Sequence, residues 1–257
     1  MKQVFFLLTM ILGLTKCTAD GVTSDSSGSV ANGSYSTMIT VGDYLYRVST
    51  MDLATFDISD GSTPVLIDEQ DVGFEIESIF HTNGVLFIGS SLALHIFTIE
   101  ADGIPARASE TAYGDFDVDQ TPCDPVVADE EYAFVTLSTI VGTSGPCSRP
   151  VAINQLRVYD VIDITAPDLL ATYDLVQPKG LAIDGDLLFV CDGSAGLRIY
   201  DRTDALNLEE LYHFTGFTTF DVIARGGLLM VVGPDNIYQF DYTDRDNVIQ
   251  LGTIKLT

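Results

Sequence analysis

Five copies of one apolar sentence run through this chain of 257 residues. The clearest is GLAIDGDLLFVCDGSAGLRIYD, from Gly180 to Asp201, whose two apolar runs are LLFVC and LRIYD. Related pairs are YLYRV at Tyr44 with LATFD at Leu53, VLFIG at Val85 with LHIFT at Leu94, YAFVT at Tyr132 with LRVYD at Leu156, and LLMVV at Leu228 with IYQFD at Ile237. The first runs start 41, 47, 55 and 41 residues apart. No single copy can bury an apolar strand on both faces, so the copies must stack on one another.

A repeat near forty residues made only of short strands predicts a β-propeller. In the fourth copy the strands are expected at Lys179 to Ile183, Leu187 to Cys191, Leu197 to Asp201 and Leu208 to Phe214. Turn signals separate them at Asp184-Gly185-Asp186, at Asp192 to Gly196 and at Arg202 to Asn207. The second strand is apolar on both faces, as a strand sandwiched between neighbouring sheets must be. The expectation is an all-β, five-bladed β-propeller of four-stranded antiparallel blades over residues 35–257, closed by packing of the last blade on the first. Asp57, Asp160, Asp201 and Asp241 end four of the five third strands, with Thr98 in the remaining copy. Repetition at a strand end points to aspartates that accept backbone hydrogen bonds in the following turn.

The segments PVLID (Pro64 to Asp68), CDPVVADEEYAFVTL (Cys123 to Leu137), QLRVYDVIDITAPDLLATY (Gln155 to Tyr173) and GLAIDGDLLFVCDGSAGLRIYD resemble the LVIVD-repeat family of exported bacterial β-propeller proteins. They are most similar to lipid-anchored members from Bacteroidetes-type bacteria. The resemblance covers about residues 36–257 and implies the fold; it implies no reaction, since the family shares no common activity. The first two copies depart from the pattern in one turn, because Ser49 to Asp52 and Ser90 to Ala93 lack the glycines found between Asp192 and Gly196.

Residues 1–19 read as an export signal, with Lys2 followed by a largely apolar stretch from Val4 to Leu14. That stretch is too short to span a bilayer. Leu14-Thr15-Lys16-Cys17 resembles a lipoprotein box with Cys17 as the lipidated residue, although Lys16 stands where a small residue is usual. Cys17-Thr18-Ala19 offers an ordinary signal-peptidase site as the alternative. Residues 20–34 are rich in Ser, Gly, Asp and Thr and read as a flexible tether. The product is expected on the outer membrane or cell surface as a lipoprotein, or else as a periplasmic or secreted protein, with any membrane contact made through the lipid.

The third copy breaks the rhythm. Its surplus, IVGTSGPCSRPVAIN from Ile140 to Asn154, separates second and third strands and carries Cys147, while Cys123 begins the same copy's first strand. In a propeller those two places lie on one face of the disc, so a Cys123–Cys147 disulfide is expected in an oxidising compartment. Closing a loop of that size is worth roughly 3 kcal/mol in the chain-entropy model. Cys191, inside LLFVC, is expected as a buried free thiol.

The formal charge of −25 repels phosphate backbones and excludes nucleic acid as an expected partner. No nucleophile elbow, P-loop, dinucleotide fingerprint or zinc box is present, and His81, His95 and His213 are scattered as structural histidines are. Asp115, Asp117 and Asp119 alternate as a calcium loop begins, but Gln120 and Val126 occupy the places of its Gly and bidentate Glu. Calcium is thus the one candidate cofactor, and a weak one.

Aligned on the apolar runs, the starts of the innermost strands bring Glu75, Glu77, Asp124, Lys179 and Asp221 to one mouth of the channel. Arg149 of the insertion and Asp192 belong to the same face. The expectation is a monomeric, non-enzymatic envelope module that binds a protein or glycan there. The alternative is a glycan-directed hydrolase with Glu77 and Asp124 or Asp221 as acid and base.

Overall fold

A computed structural model describes residues 35–114, 125–141, 148–149 and 153–256. The export signal with Cys17, the tether, the aspartates Asp115, Asp117 and Asp119, and Cys123, Asp124 and Cys147 lie outside the described residues.

The described chain forms five four-stranded antiparallel sheets, one for each sequence copy. The first contains β1 (Met38–Val41), β2 (Tyr44–Val48), β3 (Asp52–Asp57) and β4 (Val65–Asp71). The second contains β5 (Ile76–Thr82), β6 (Val85–Ser90), β7 (Ala93–Ile99) and β8 (Pro105–Ala112). The third contains β9 (Val126–Ala128), β10 (Tyr132–Ser138), β13 (Asn154–Asp160) and β14 (Asp168–Asp174). The insertion between β10 and β13 holds two short parallel strands, β11 (Ile140–Val141) and β12 (Ser148–Arg149). The fourth sheet is β15 (Leu181–Asp184), β16 (Leu187–Cys191), β17 (Leu197–Asp201) and β18 (Glu209–Phe214), with a 3₁₀ turn at Gly193–Ala195. The fifth is β19 (Asp221–Arg225), β20 (Leu228–Val232), β21 (Asn236–Asp241) and β22 (Ile249–Lys255). This is the architecture of a β-propeller, and its sheet count matches the five repeats.

Each apolar run of the sequence falls within the strand expected of it, and the reason is burial on both faces. Every residue of β16 is buried. The pleat sends Leu187, Phe189 and Cys191 into a core with Val222, Leu229, Val231 and Phe240 of the fifth sheet. It sends Leu188 and Val190 the other way, onto Phe134, Leu156 and Val158 of the third. Two further cores join the first sheet to the second, around Tyr46, Leu53 and Leu86, and the second to the third, around Phe87, Val135 and Tyr159.

One irregularity recurs in all five sheets. The pairing of third and fourth strands shifts register at Thr55/Phe56, Ile96/Phe97, Val158/Tyr159, Ile199/Tyr200 and Gln239/Phe240. Each shift immediately precedes the aromatic residue of the third strand. A bulge bends and twists the strand that carries it, so the outermost strand of every sheet turns away from its neighbour at the same height.

The expected closure of the fifth sheet on the first is not among the cores. Within the described residues, buried clusters join sheets one to two, two to three, three to four and four to five, and none joins five to one.

The turn aspartates behave as the sequence implies. Asp57, Asp160, Asp201 and Asp241 each accept a backbone N–H two residues on, at 2.8 to 2.9 Å. Asp60, Asp163 and Asp204 repeat the device one turn later, at 2.9 to 3.0 Å. Asp201 is held down to about 2, first by the Thr203 amide and then by Arg245. In place of the missing glycines, Ser49 and Ser90 cap their turns, accepting the Asp52 and Ala93 amides at 3.2 and 3.1 Å. The fourth sheet does need its glycine: Gly196 has φ +97°, and a Cβ there would lie 2.0 Å from the Phe214 carbonyl oxygen.

Candidate functional site

The starts of the first strands are tied to neighbouring sheets by hydrogen bonds across sheet boundaries. The Gly180 amide donates to the Phe220 carbonyl at 2.8 Å, and the Ile79 amide to the Ser36 carbonyl at 2.8 Å. The Thr136 hydroxyl donates to the Lys179 carbonyl at 2.6 Å. These bonds join the first sheet to the second, the third to the fourth and the fourth to the fifth where the predicted site residues emerge.

Lys179 is half-buried. Burial draws its ammonium below the usual lysine range, and the negative charge of Glu77, from the second sheet, opposes that shift. Residues from the second and fourth sheets are thereby brought together. Asp221 of the fifth sheet approaches from the other side: its Oδ1 accepts the Val222 amide at 2.9 Å and packs so tightly over Gly180 that a Cβ there would sit 2.0 Å from it. Glu75 has a left-handed backbone, φ 51°, and its Oε2 accepts the Ser91 hydroxyl at 2.8 Å. Phe220 is 43% exposed and adds an apolar element at the rim. Arg149 lies in β12 of the insertion, whereas Asp124 lies outside the described residues.

Asp192 is turned inward. It is fully buried, and its Oδ1 accepts the Val176 and Gln177 amides at 2.9 and 2.8 Å, while Oδ2 accepts Arg198 Nε at 2.8 Å. Its carboxylate clamps the crossover from the third sheet to the fourth, the segment that leads into Lys179. Cys191 is a buried free thiol, pushed well above its ordinary range by burial and then by the charge of Asp221.

Arginines at the third strands repeat this clamp, a function not anticipated from the sequence. Arg157 donates to the Tyr113 carbonyl at 2.6 Å, and Arg107, from the fourth strand of its sheet, to the Asp71 and Val72 carbonyls at 3.2 and 2.8 Å. In the fifth sheet the corresponding residue is Tyr238, whose ring lies 4.4 Å from that of Phe217. The available signal was the Arg in LRVYD and LRIYD, which reads equally well as a solvated strand residue.

Ser90, His95 and Glu110 form a second unanticipated group, with the spacing of a hydrolytic triad. Ser90 Oγ is 3.0 Å from His95 Nε2, and Glu110 Oε2 is 3.6 Å from Nδ1. The arrangement is not a nucleophile: Ser90 is 1% exposed and its oxygen is already engaged with both the amide and carbonyl of Ala93. His81 and His213 are structural too, facing the Gly84 amide and the Ala195 carbonyl. Among the described residues, no group of three or more His, Cys, Asp or Glu side chains is placed to hold a metal ion.

At the opposite end of the sheets, a cleft of about 380 Å³ lies between the fourth and fifth, lined by Asp184, Asp186, Leu187, Gly227, Tyr242 and Arg245. Its polar groups pin the two sheets together: the Tyr242 hydroxyl donates to Asp184 at 2.5 Å, and Arg245 pairs with Asp201. Arg202 pairs with Asp129 in the same way one sheet earlier.

No protein-family profile matches this chain, and no curated protein matches it. Its fold is shared with solved β-propellers. A functionally unknown protein from Desulfotomaculum acetoxidans superimposes with a TM-score of 0.66 at 10% identity, over 85% of this chain and 69% of that one. A protein from Lactobacillus plantarum gives 0.62 at 15% identity, over 84% and 69%. A periplasmic gluconolactonase of Pseudomonas aeruginosa gives 0.60 at 16% identity, over 84% and 68%. At these identities the likeness carries the fold and no activity.

Proposed function

We propose that this protein is an exported binding module of the LVIVD-repeat type that takes an envelope protein or glycan at the mouth where its first strands begin. The observation that carries the reading is the convergence of charges from three sheets: Lys179 of the fourth, half-buried and within the field of Glu77 of the second, with Asp221 of the fifth packed over Gly180 and the exposed ring of Phe220 beside it. A few convergent polar groups beside an aromatic are what a recognition surface needs. Lipidation at Cys17 and a tether over residues 20–34 would hold the module at a membrane, and a Cys123–Cys147 bond would hold the insertion with Arg149 beside this mouth.

Hydrolysis by Glu77 with Asp221 is less well supported. That chemistry requires two carboxyl groups roughly 5 to 9 Å apart around a scissile bond. Glu77 instead lies within the field of the Lys179 ammonium, and Asp221 holds its own strand start. The gluconolactonase among the structural neighbours lends its fold alone.

The test uses the exported form, residues 20–257, as bait against a detergent extract and a soluble glycan fraction of the producing cell's envelope. Lys179→Ala and Glu77→Gln should each abolish capture while leaving the melting temperature within a few degrees, since neither is a core residue. Undiminished capture by both variants overturns the assignment.

A further inference from the structure

Five turns join the first strand of a sheet to its second, and one of them is chemically unlike the rest. Between β5 and β6 the turn is Asn83-Gly84, with Thr82 paired to Val85 across it. The matching places hold Gly42-Asp43, Asp129 to Glu131, Gly185-Asp186 and Gly226-Gly227. Asn83 and Gly84 have φ 46° and 77°, the two left-handed residues of a tight hairpin turn, which asparagine and glycine adopt at low cost. Among the described residues no other asparagine precedes a glycine.

In an Asn–Gly pair the backbone nitrogen can attack the side-chain amide, because glycine has no Cβ to hinder the approach. A Cβ on Gly84 would meet nothing within 4 Å, so the space beside it is open. Attack needs a nitrogen relieved of its proton and a departing amine that is stabilised. The Gly84 N–H donates to His81 Nε2 at 3.1 Å. An accepting Nε2 leaves the ring proton on Nδ1, so a base touches the proton that must go. Asn83 Nδ2 donates to Glu130 Oε1 of the third sheet at 2.5 Å. A carboxylate only accepts, so this contact sets a negative charge beside the group that leaves as ammonia.

Burial draws His81 below its ordinary range, with no charged neighbour contributing, and so keeps the ring in its basic form. The acids on the elements around the turn are engaged elsewhere or exposed: Glu100 accepts the Thr98 hydroxyl at 3.1 Å, Asp129 pairs with Arg202, Glu130 holds Asn83, and Glu131 faces solvent.

We infer that Asn83 is a self-modification site, at which His81 takes the Gly84 proton and the turn deamidates. The Gly84 nitrogen bonds to Cγ of Asn83 and closes a five-membered succinimide. The Cγ–Nδ2 bond breaks, and Nδ2 takes up the proton and leaves as ammonia. One water then opens the ring at either carbonyl, giving aspartate or isoaspartate at this position; nothing is oxidised or reduced. The product changes a contact between sheets, because a carboxylate replaces the donor facing Glu130 and two acids at that distance repel. The second and third sheets stay joined by their shared core, by the Ser109 hydroxyl on the Ile164 carbonyl and by Arg157 on the Tyr113 carbonyl. Modification thus loosens one end of a seam and leaves the fold in place.

The experiment incubates residues 20–257 in heavy-oxygen water from pH 5 to pH 8.5 and follows Asn83 by peptide mapping, which separates it from Asn32, the chain's other Asn–Gly pair. Asn83 should convert with uptake of the label, at a rate that falls as His81 protonates and levels off above that point. His81→Gln should slow conversion roughly tenfold or more, and the wild-type profile decides the matter even if that variant unfolds. A rate proportional to hydroxide over the whole range overturns the inference, and so does a folded His81→Gln that converts as fast as the wild type or an Asn83 that stays intact. Asn83→Asp installs the product charge in a residue that tolerates the same backbone. It should lower the melting temperature by several degrees, and adding Glu130→Gln should restore it. An unchanged melting temperature in Asn83→Asp overturns the effect assigned to the seam.

Discussion

His95 Nδ1 accepts a hydrogen bond from Arg107 Nη1 at 3.0 Å, deep beneath the crossover from the first sheet to the second. Arginine can only donate, so Nδ1 must be unprotonated and the ring proton sits on Nε2, which donates to Ser90 Oγ at 3.0 Å. The ring is 3% exposed, and a Cβ on Gly73 would lie 3.2 Å from it. Burial first, and Arg107 second, hold this histidine down to about 4, even though Glu110 lies 3.6 Å from the same nitrogen. Protonating Nδ1 would set an N–H against the guanidinium that holds the Asp71 and Val72 carbonyls.

His95 therefore makes stability depend on acidity. Its folded value lies below the unfolded value near 6.5, so the folded state binds fewer protons; the contribution is complete above pH 6.5 and is lost as pH falls toward 4. The difference corresponds to on the order of 3 kcal/mol for this one group. Urea unfolding of wild type and His95→Gln at pH 7 and pH 4.5 should show a flatter pH dependence in the variant. A His95 ring signal that titrates near pH 6.5 by NMR would contradict the assignment.

Asp192→Ala should destabilise the fold by about 3 to 5 kcal/mol, because it leaves two crossover amides without acceptors and takes from the partly buried Arg198 its fully buried acid, leaving it Glu210 alone. Equilibrium denaturation measures this. A loss below 1 kcal/mol would mean that the clamp on the third-to-fourth crossover is not structural.

Thr55→Val should leave stability unchanged or raise it by about 1 kcal/mol. Thr55 is fully buried, and its Oγ1 is the one buried side-chain oxygen or nitrogen among the described residues without a hydrogen-bond partner. Replacing an unsatisfied hydroxyl with a methyl of the same shape removes a desolvation cost. A variant less stable by more than 1 kcal/mol would show that the hydroxyl has a partner in solution.

The strands were legible because burial on both faces leaves a strong mark: LLFVC could not be a surface segment, and it is β16. The turn aspartates were legible because a side chain that caps its own turn acts locally. The clamps were not. Asp192 reads from sequence as a polar loop residue at the mouth, but whether it faces solvent or a crossover depends on Arg198 and on amides 15 and 16 residues upstream. Closure was not legible in the same way: five copies imply a ring only if the end sheets match, and the first sheet carries the exposed Arg47 where the other four carry Ile88, Val135, Val190 and Val231.

Hydrogen–deuterium exchange of residues 20–257, with and without the captured envelope fraction, tests the central claim most directly. The account predicts slowed exchange in peptides covering Glu75 to Ile79, Lys179 to Leu181 and Phe220 to Val222, with no change over Asp184 to Leu187 or Tyr242 to Arg245. Protection confined to those last two segments, the cleft at the opposite end of the sheets, would contradict it.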